Sequence, residues 1–151
     1  GTLMLSIPQR GDGSIDDKEA AVLADMASWI AVNGEAIYST RPWKIYGEGP
    51  TRLVEGMQNE GDAKPFEARD IRFTTKAGAL YALPLVEPGR EMVIESLAVG
   101  APHAGGEVRK VSLLGGDLLA FTRDDKGLRI TLPERRPAFT PVVKIEGPWL
   151  A

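Results

Sequence analysis

The sequence predicts a mainly β protein, an antiparallel β-sandwich preceded by one strand–helix unit. Two observations lead to this prediction. Apolar residues recur at helical spacing between residues 16 and 33, whereas beyond residue 69 they alternate in short runs. Glycine, proline and aspartate interrupt those runs at regular intervals, which is typical of turns between antiparallel strands. Residues 44–68 show neither helical spacing nor strand alternation clearly and are expected to connect the two regions.

The first region begins with a short predicted strand, residues 2–7. Leu3, Leu5 and Ile7 share one face, and Met4 on the other face suggests burial on both sides, as in a parallel sheet. Pro8 ends the strand, and a turn follows.

A helix is predicted from residue 16 to residue 33. Asp16 is a favourable N-cap residue, and Glu19 is its capping-box partner. Asn33-Gly34 is typical of the C-terminal end of a helix. Because one strand and one helix cannot bury their own surfaces, the apolar stripe of the helix and the first strand are not expected to sit free in water. They should fold back onto the sandwich, pack against a neighbouring molecule or be disordered. The stripe consists of Val22, Leu23, Met26 and Ile30.

Seven short strands are predicted beyond residue 69, with tight hairpins at Gly115-Gly116 and at Asp124–Gly127. They are residues 71–76, 80–83, 92–97, 108–114, 118–121, 128–132 and 142–145. Their alternation predicts a set of largely buried side chains: Ile71, Phe73, Leu83, Ile94, Leu113, Phe121, Ile130 and Ile145.

Composition excludes several classes of function. The 151 residues carry a net charge of −3, so nothing suggests nucleic acid or an anionic membrane surface as a partner. The chain has no cysteine, which excludes disulfides and thiolate chemistry, and no apolar run is long enough to span a membrane.

No cofactor or metal is expected. Asp12, Ser14 and Asp16 match the first ligands of a calcium loop, but Asp17 and Leu23 stand where that loop needs glycine and an acidic residue. A turn leading into a helix cap accounts for the same residues. A lone histidine, His103, favours a solvated loop over zinc or a catalytic triad.

The aromatic residues argue against a lectin-like role. The three tryptophans lie on the helix, in its exit and in the final tail. The aromatic residues of the β-region are explained more simply as core or rim packing: Phe73, Tyr81, Phe121 and Phe139.

Read in order, several motifs resemble the C-terminal third of an α-L-fucosidase of glycoside hydrolase family 29. The resemblance spans nearly the whole chain and keeps its order. It is carried by Gly1-Thr2-Leu3-Met4-Leu5-Ser6-Ile7-Pro8, Gly11-Asp12-Gly13-Ser14-Ile15, Asn33-Gly34-Glu35-Ala36-Ile37-Tyr38, Thr40-Arg41-Pro42-Trp43, Asp70-Ile71-Arg72-Phe73-Thr74, Val111-Ser112-Leu113-Leu114-Gly115 and the run from Gly127 to Pro133.

The resemblance implies a division into domains. Residues 1–43 would be the last strand and helix of a (β/α)₈-like catalytic barrel, 44–68 a connecting segment and 69–151 a C-terminal β-sandwich. It also implies an exported protein, whether periplasmic, extracellular or lysosomal. The partners implied are the upstream barrel, a fucosylated glycan bound by that barrel, and self-association through the helix stripe.

The family hydrolyses α-L-fucosides with retention, using an Asp nucleophile and usually a Glu acid/base. Both would lie upstream of Gly1, so the resemblance assigns no catalytic residue here and implies that this piece alone is inactive. One pocket residue carries over: the position matching a sugar contact is Ile7, although Ser6 departs from the Asn found in many members. Barrel packing is the alternative role for Ile7. For the whole chain, the alternative is an autonomous β-sandwich module that binds glycans or proteins.

Overall fold

The computed structural model describes residues 3–52, 64–134 and 139–150. Within them the chain forms an α-helix, eight strands and two short 3₁₀ helices, Gly34–Ala36 and Glu95–Leu97. The α-helix, α1, is Asp17–Asn33, and the strands are β1 (Arg41–Glu48), β2 (Ile71–Lys76), β3 (Ala79–Pro84), β4 (Glu91–Ile94), β5 (Lys110–Leu113), β6 (Phe121–Arg123), β7 (Leu128–Thr131) and β8 (Val143–Glu146).

The strands form two antiparallel sheets. One has five strands in the order β1-β2-β3-β8-β5, and the other has three in the order β4-β7-β6. Every pairing between named strands is antiparallel. The predicted antiparallel sandwich is therefore confirmed.

Apolar side chains fill the space between the two sheets. The five-stranded sheet contributes Ile71, Phe73 and Leu80, and the three-stranded sheet contributes Met92, Ile94 and Ile130. Of the eight side chains predicted to be largely buried, six are buried, and Leu83 and Phe121 are half-buried.

A smaller apolar cluster lies on the other face of the five-stranded sheet, around β3. Ala79 and Tyr81 of β3 are buried there with Ala36 and Val142, and Trp29 of α1 and Leu83 pack against them. Helix α1 and the 3₁₀ turn after it therefore cover this outer face. Leu83 escapes full burial because it points to this thinner layer rather than to the core between the sheets.

Strand β1 corrects the sequence analysis, which expected residues 44–68 to lack regular structure. Its alternation is hidden because its register with β2 shifts between Pro42 and Gly47. Gly47 suggests a turn in the sequence, but here it allows close approach of two strands: a Cβ at Gly47 would lie 2.3 Å from the Ile71 carbonyl oxygen. The proposed domain boundaries remain predictions.

Two further details differ from prediction. The predicted strand over residues 92–97 ends at Ile94 and continues as a 3₁₀ turn. The turn at Gly115-Gly116 is not a regular hairpin, because β5 pairs with β8 while β6 lies in the other sheet, and only a single bridge joins Ser112 to Leu118.

The predicted hairpin at Asp124–Gly127 is confirmed, and it joins β6 to β7. The Asp124 carboxylate accepts hydrogen bonds from the backbone N–H groups of Lys126 (2.8 Å) and Gly127 (3.1 Å). These bonds lower the pKa of Asp124 and fix the turn.

A buried carboxylate holds the backbone at the entry to β2. Asp70 is 0% exposed and accepts hydrogen bonds from the N–H of Thr51 (3.0 Å) and the N–H of Glu67 (2.7 Å). Gly49, at φ +128°, leaves room for it, since a Cβ there would lie 2.2 Å from Asp70 Oδ1. Burial by itself raises the pKa of this carboxyl, but the hydrogen bonds outweigh it and the net pKa is lowered.

We predict that Asp70→Asn destabilises the chain by about 1.5–3 kcal/mol, because one amide oxygen cannot replace two charged acceptors. The measurement is the midpoint of urea denaturation. The exposed Asp117→Asn is the matched control and should change stability by less than about 0.5 kcal/mol. Equal effects of the two substitutions would contradict a special role for Asp70.

Candidate functional site

The segment that carries Ile7 does not form the predicted strand. Residues 3–8 have no regular structure, and Leu3 and Met4 are 71% and 90% exposed. A strand needs a hydrogen-bonding neighbour, and no described residue pairs with this segment; the nearest pairing is the bridge between Gln9 and Ile15. Ile7 itself is half-buried, and no other proposed site residue is brought to it.

The turn after this segment is built from its own side chains. Asp12 accepts hydrogen bonds from the backbone N–H (2.9 Å) and hydroxyl (2.7 Å) of Ser14, and these bonds lower the pKa of Asp12. Asp16 caps α1 by accepting from the Lys18 N–H and also pairs with Arg10. The described residues contain no group of three or more side chains arranged to hold a metal ion. The carboxylates of this turn therefore serve the turn and the helix cap.

Helix α1 folds back onto the sandwich along part of its stripe. Trp29 donates a hydrogen bond to the Thr140 carbonyl (2.9 Å), and Leu23, Met26 and Ile30 are half-buried. Val22 stays 56% exposed. Beside the helix lies a largely apolar groove of about 570 Å³, here called the helix groove, which is lined by Val22, Asp25, Met26, Trp29, Glu87, Phe139 and Thr140.

A polar cluster, here called the Glu35 anchor, fixes the end of the helix to the sheet. The Tyr81 hydroxyl and the Lys144 ammonium each donate to Glu35 Oε1 at 2.6 Å. The bond from Lys144, then that from Tyr81, lowers the pKa of Glu35. Burial, then the bond to Glu35, raises the pKa of Tyr81 well above its ordinary value. The anchor joins Glu35 of the 3₁₀ turn to two neighbouring central strands, β3 and β8.

The sequence indicated Glu35 only as part of the Asn33–Tyr38 motif and assigned Tyr81 to core packing. Tyr81 does both, because its ring lies in the outer apolar layer while its hydroxyl reaches Glu35. Lys144 was missed, since a lysine on a strand ordinarily indicates a solvated face. Only the pairing of β3 with β8, which places Tyr81 opposite Lys144, could reveal the cluster.

His103 also differs from its predicted setting in a solvated loop. It is half-buried and packs edge-on to Trp43, with ring centroids 6.1 Å apart. Arg123 holds the surrounding loop by donating to the carbonyls of Leu97 (2.6 Å) and Gly106. His103 is therefore part of a packed loop, and it has no histidine or cysteine neighbour for metal chemistry.

The chain is similar to curated α-L-fucosidases over most of its length. Human tissue α-L-fucosidase is 31% identical over 143 residues, which cover 93% of this chain and 26% of that protein. Human plasma α-L-fucosidase is 29% identical over 138 residues, or 89% of this chain and 25% of that protein. The chain thus spans about a quarter of the length of these relatives. No protein-family model matches it.

Solved structures agree with the sequence comparison. A Thermotoga maritima α-fucosidase in complex with a mechanism-based inhibitor superposes with a TM-score of 0.69 at 27% identity, over 97% of this chain and 30% of that one. These matches to curated proteins and solved structures support a C-terminal fragment of an α-L-fucosidase. An α-L-fucosidase isoenzyme from Paenibacillus thiaminolyticus, at 17% identity and a TM-score of 0.59, shares the fold.

The resemblance implies that α1 is the last helix of a catalytic barrel that precedes the sandwich, and this division remains a prediction. Among the described residues, no helix is both long and apolar enough to cross a membrane.

We predict that the Glu35 anchor makes stability depend on pH in the acid range. Because the pKa of Glu35 is lower in the folded state than its ordinary 4.5, its contribution is complete above that value and is lost as the pH falls through the folded pKa. At pH 7, Glu35→Gln should lower the free energy of unfolding by about 1 kcal/mol, a modest figure because the Glu35 side chain is half-exposed. The difference in the free energy of unfolding between variant and wild type should shrink toward pH 3.

The measurement is the free energy of unfolding of both proteins from pH 3 to pH 8, with hydrogen exchange of residues 29–38 as the local readout. Glu91→Gln is the matched control, because Glu91 pairs with Arg129 on the other sheet at 2.9 Å. Faster exchange of residues 29–38 in the control as well would show that the anchor is not specific to the helix junction.

Proposed function

We propose that this chain is the C-terminal part of a retaining α-L-fucosidase that removes α-L-fucose from glycans. The observation that carries the proposal is the similarity to human tissue α-L-fucosidase across 93% of the chain. The human relatives named for tissue and plasma also support a secreted or lysosomal location for the longer protein.

In this proposal the sandwich buttresses the catalytic barrel. Support comes from the apolar cluster on the outer face of β3, which packs toward the helix. The helix groove and the exposed Leu3, Met4 and Val22 supply further apolar surface for barrel elements to cover. An autonomous glycan- or protein-binding module is the alternative, and it gives no reason for an apolar surface at this end of the chain.

The catalytic carboxylates are proposed to lie upstream of Gly1. We therefore predict that the 151-residue chain alone does not hydrolyse an aryl α-L-fucoside, whereas the longer protein does. The measurement is release of the aryl alcohol at equal molar concentrations. Turnover by the isolated chain near the rate of the longer protein would contradict the proposal.

Ile7 is proposed to contact the fucose ring at the end of a barrel strand. In the longer protein Ile7→Ala should raise KM for an aryl α-L-fucoside about three- to tenfold, as expected for losing one apolar contact. Leu5→Ala, on the same predicted strand face, is the control and should lower stability without changing KM. A loss of stability with unchanged KM for Ile7→Ala would assign Ile7 to barrel packing instead.

A further inference from the structure

Two aromatic rings and a guanidinium form a stack at the edge of the five-stranded sheet. The Arg72 guanidinium lies 5.2 Å from the Tyr46 ring centroid and 5.8 Å from the Phe66 ring centroid. Tyr46 is 70% exposed and Phe66 is 37% exposed. We call this set the Tyr46 platform. It presents an open ring and a cation together on the surface.

The platform is held by regular structure. Trp43 and Ile45 of β1 pack into the core between the sheets, whereas Tyr46 is exposed and its ring lies under the Arg72 guanidinium. Arg72 occupies the corresponding face of β2, between the buried Ile71 and Phe73. Gly47 makes room for it, since a Cβ there would lie 2.9 Å from Arg72 Cδ. Because Gly47 has no side chain, the Arg72 side chain can lie across β1.

Arg72 keeps hydrogen-bonding capacity for a ligand. One of its N–H groups donates to the Ile71 carbonyl at 3.3 Å. No carboxylate of the described residues lies within ion-pair distance of it. A guanidinium has five donors, and stacking between rings leaves the donors at its edge accessible. The buried Asp70 carboxylate supplies a negative charge near Arg72.

An exposed ring beside in-plane donors suits one class of ligand. The C–H face of a pyranose ring stacks on an aromatic ring, and its hydroxyl groups accept hydrogen bonds from a neighbouring guanidinium. We propose that the Tyr46 platform binds a neutral pyranoside unit of a glycan.

The test uses the 151-residue chain and methyl β-D-galactopyranoside, a neutral sugar with one apolar face. Binding is followed by saturation-transfer NMR and by shifts of the Tyr46 ring signals on titration. Wild type should bind at millimolar concentrations, and Tyr46→Ala should weaken binding about tenfold, the value of one aromatic stacking contact. Arg72→Lys, which keeps the charge but loses the planar donors, should weaken it as well.

Tyr38→Ala is the matched control, because Tyr38 is 59% exposed but has no guanidinium stacked on it among the described residues. It should bind like wild type, and unchanged melting temperatures would show that each variant folds. No binding by wild type, or equal binding by the Tyr46→Ala and Tyr38→Ala variants, would overturn the proposal. Tighter binding of methyl β-D-glucuronide than of the galactoside would overturn the assignment of a neutral ligand. None of these outcomes depends on fucosidase activity.

Discussion

The structure depends on one constraint: the central strand of the five-stranded sheet, β3, buries side chains on both of its faces. Leu80 and Ala82 of β3 point toward the second sheet, and Ala79 and Tyr81 point toward the helix. Each buried large side chain contributes roughly 1.5–3 kcal/mol, so neither face can be left in water. The three-stranded sheet covers one face and α1 covers part of the other. The helix and the sandwich therefore pack against the same strand, although they are separate regions of the sequence.

Two carboxylates position the backbone around that sheet by different means. Asp70 is fully buried and acts on backbone N–H groups, so it fixes the local path of the chain where β2 begins. Glu35 is only partly covered and acts on the side chains of two strands, so it fixes one element against another. Both have a lowered pKa because the charged form receives the hydrogen bonds. Their contributions are therefore present at neutral pH and weaken in acid.

Under the proposed function, the helix groove and the exposed apolar residues 3–5 are surfaces that a catalytic barrel would cover. The Tyr46 platform has a different character, because its exposed ring is paired with a cation and bordered by polar strand positions. A structural domain and a sugar-contacting surface can coexist on one sheet, since they use different strands of it.

The sequence by itself determined the class of fold, the helix over residues 17–33 and most strands, because alternation around Ile71 and Ile130 and the Asp124–Gly127 turn are local signals. It also carried the family resemblance. It did not reveal β1, because a register shift masks the alternation, nor that residues 3–7 lack strand structure, because a strand exists only with a partner. The Glu35 anchor and the Tyr46 platform were decided by tertiary structure alone. Each joins residues far apart in the chain, and only the pairing of β3 with β8 and of β1 with β2 brings them within contact distance.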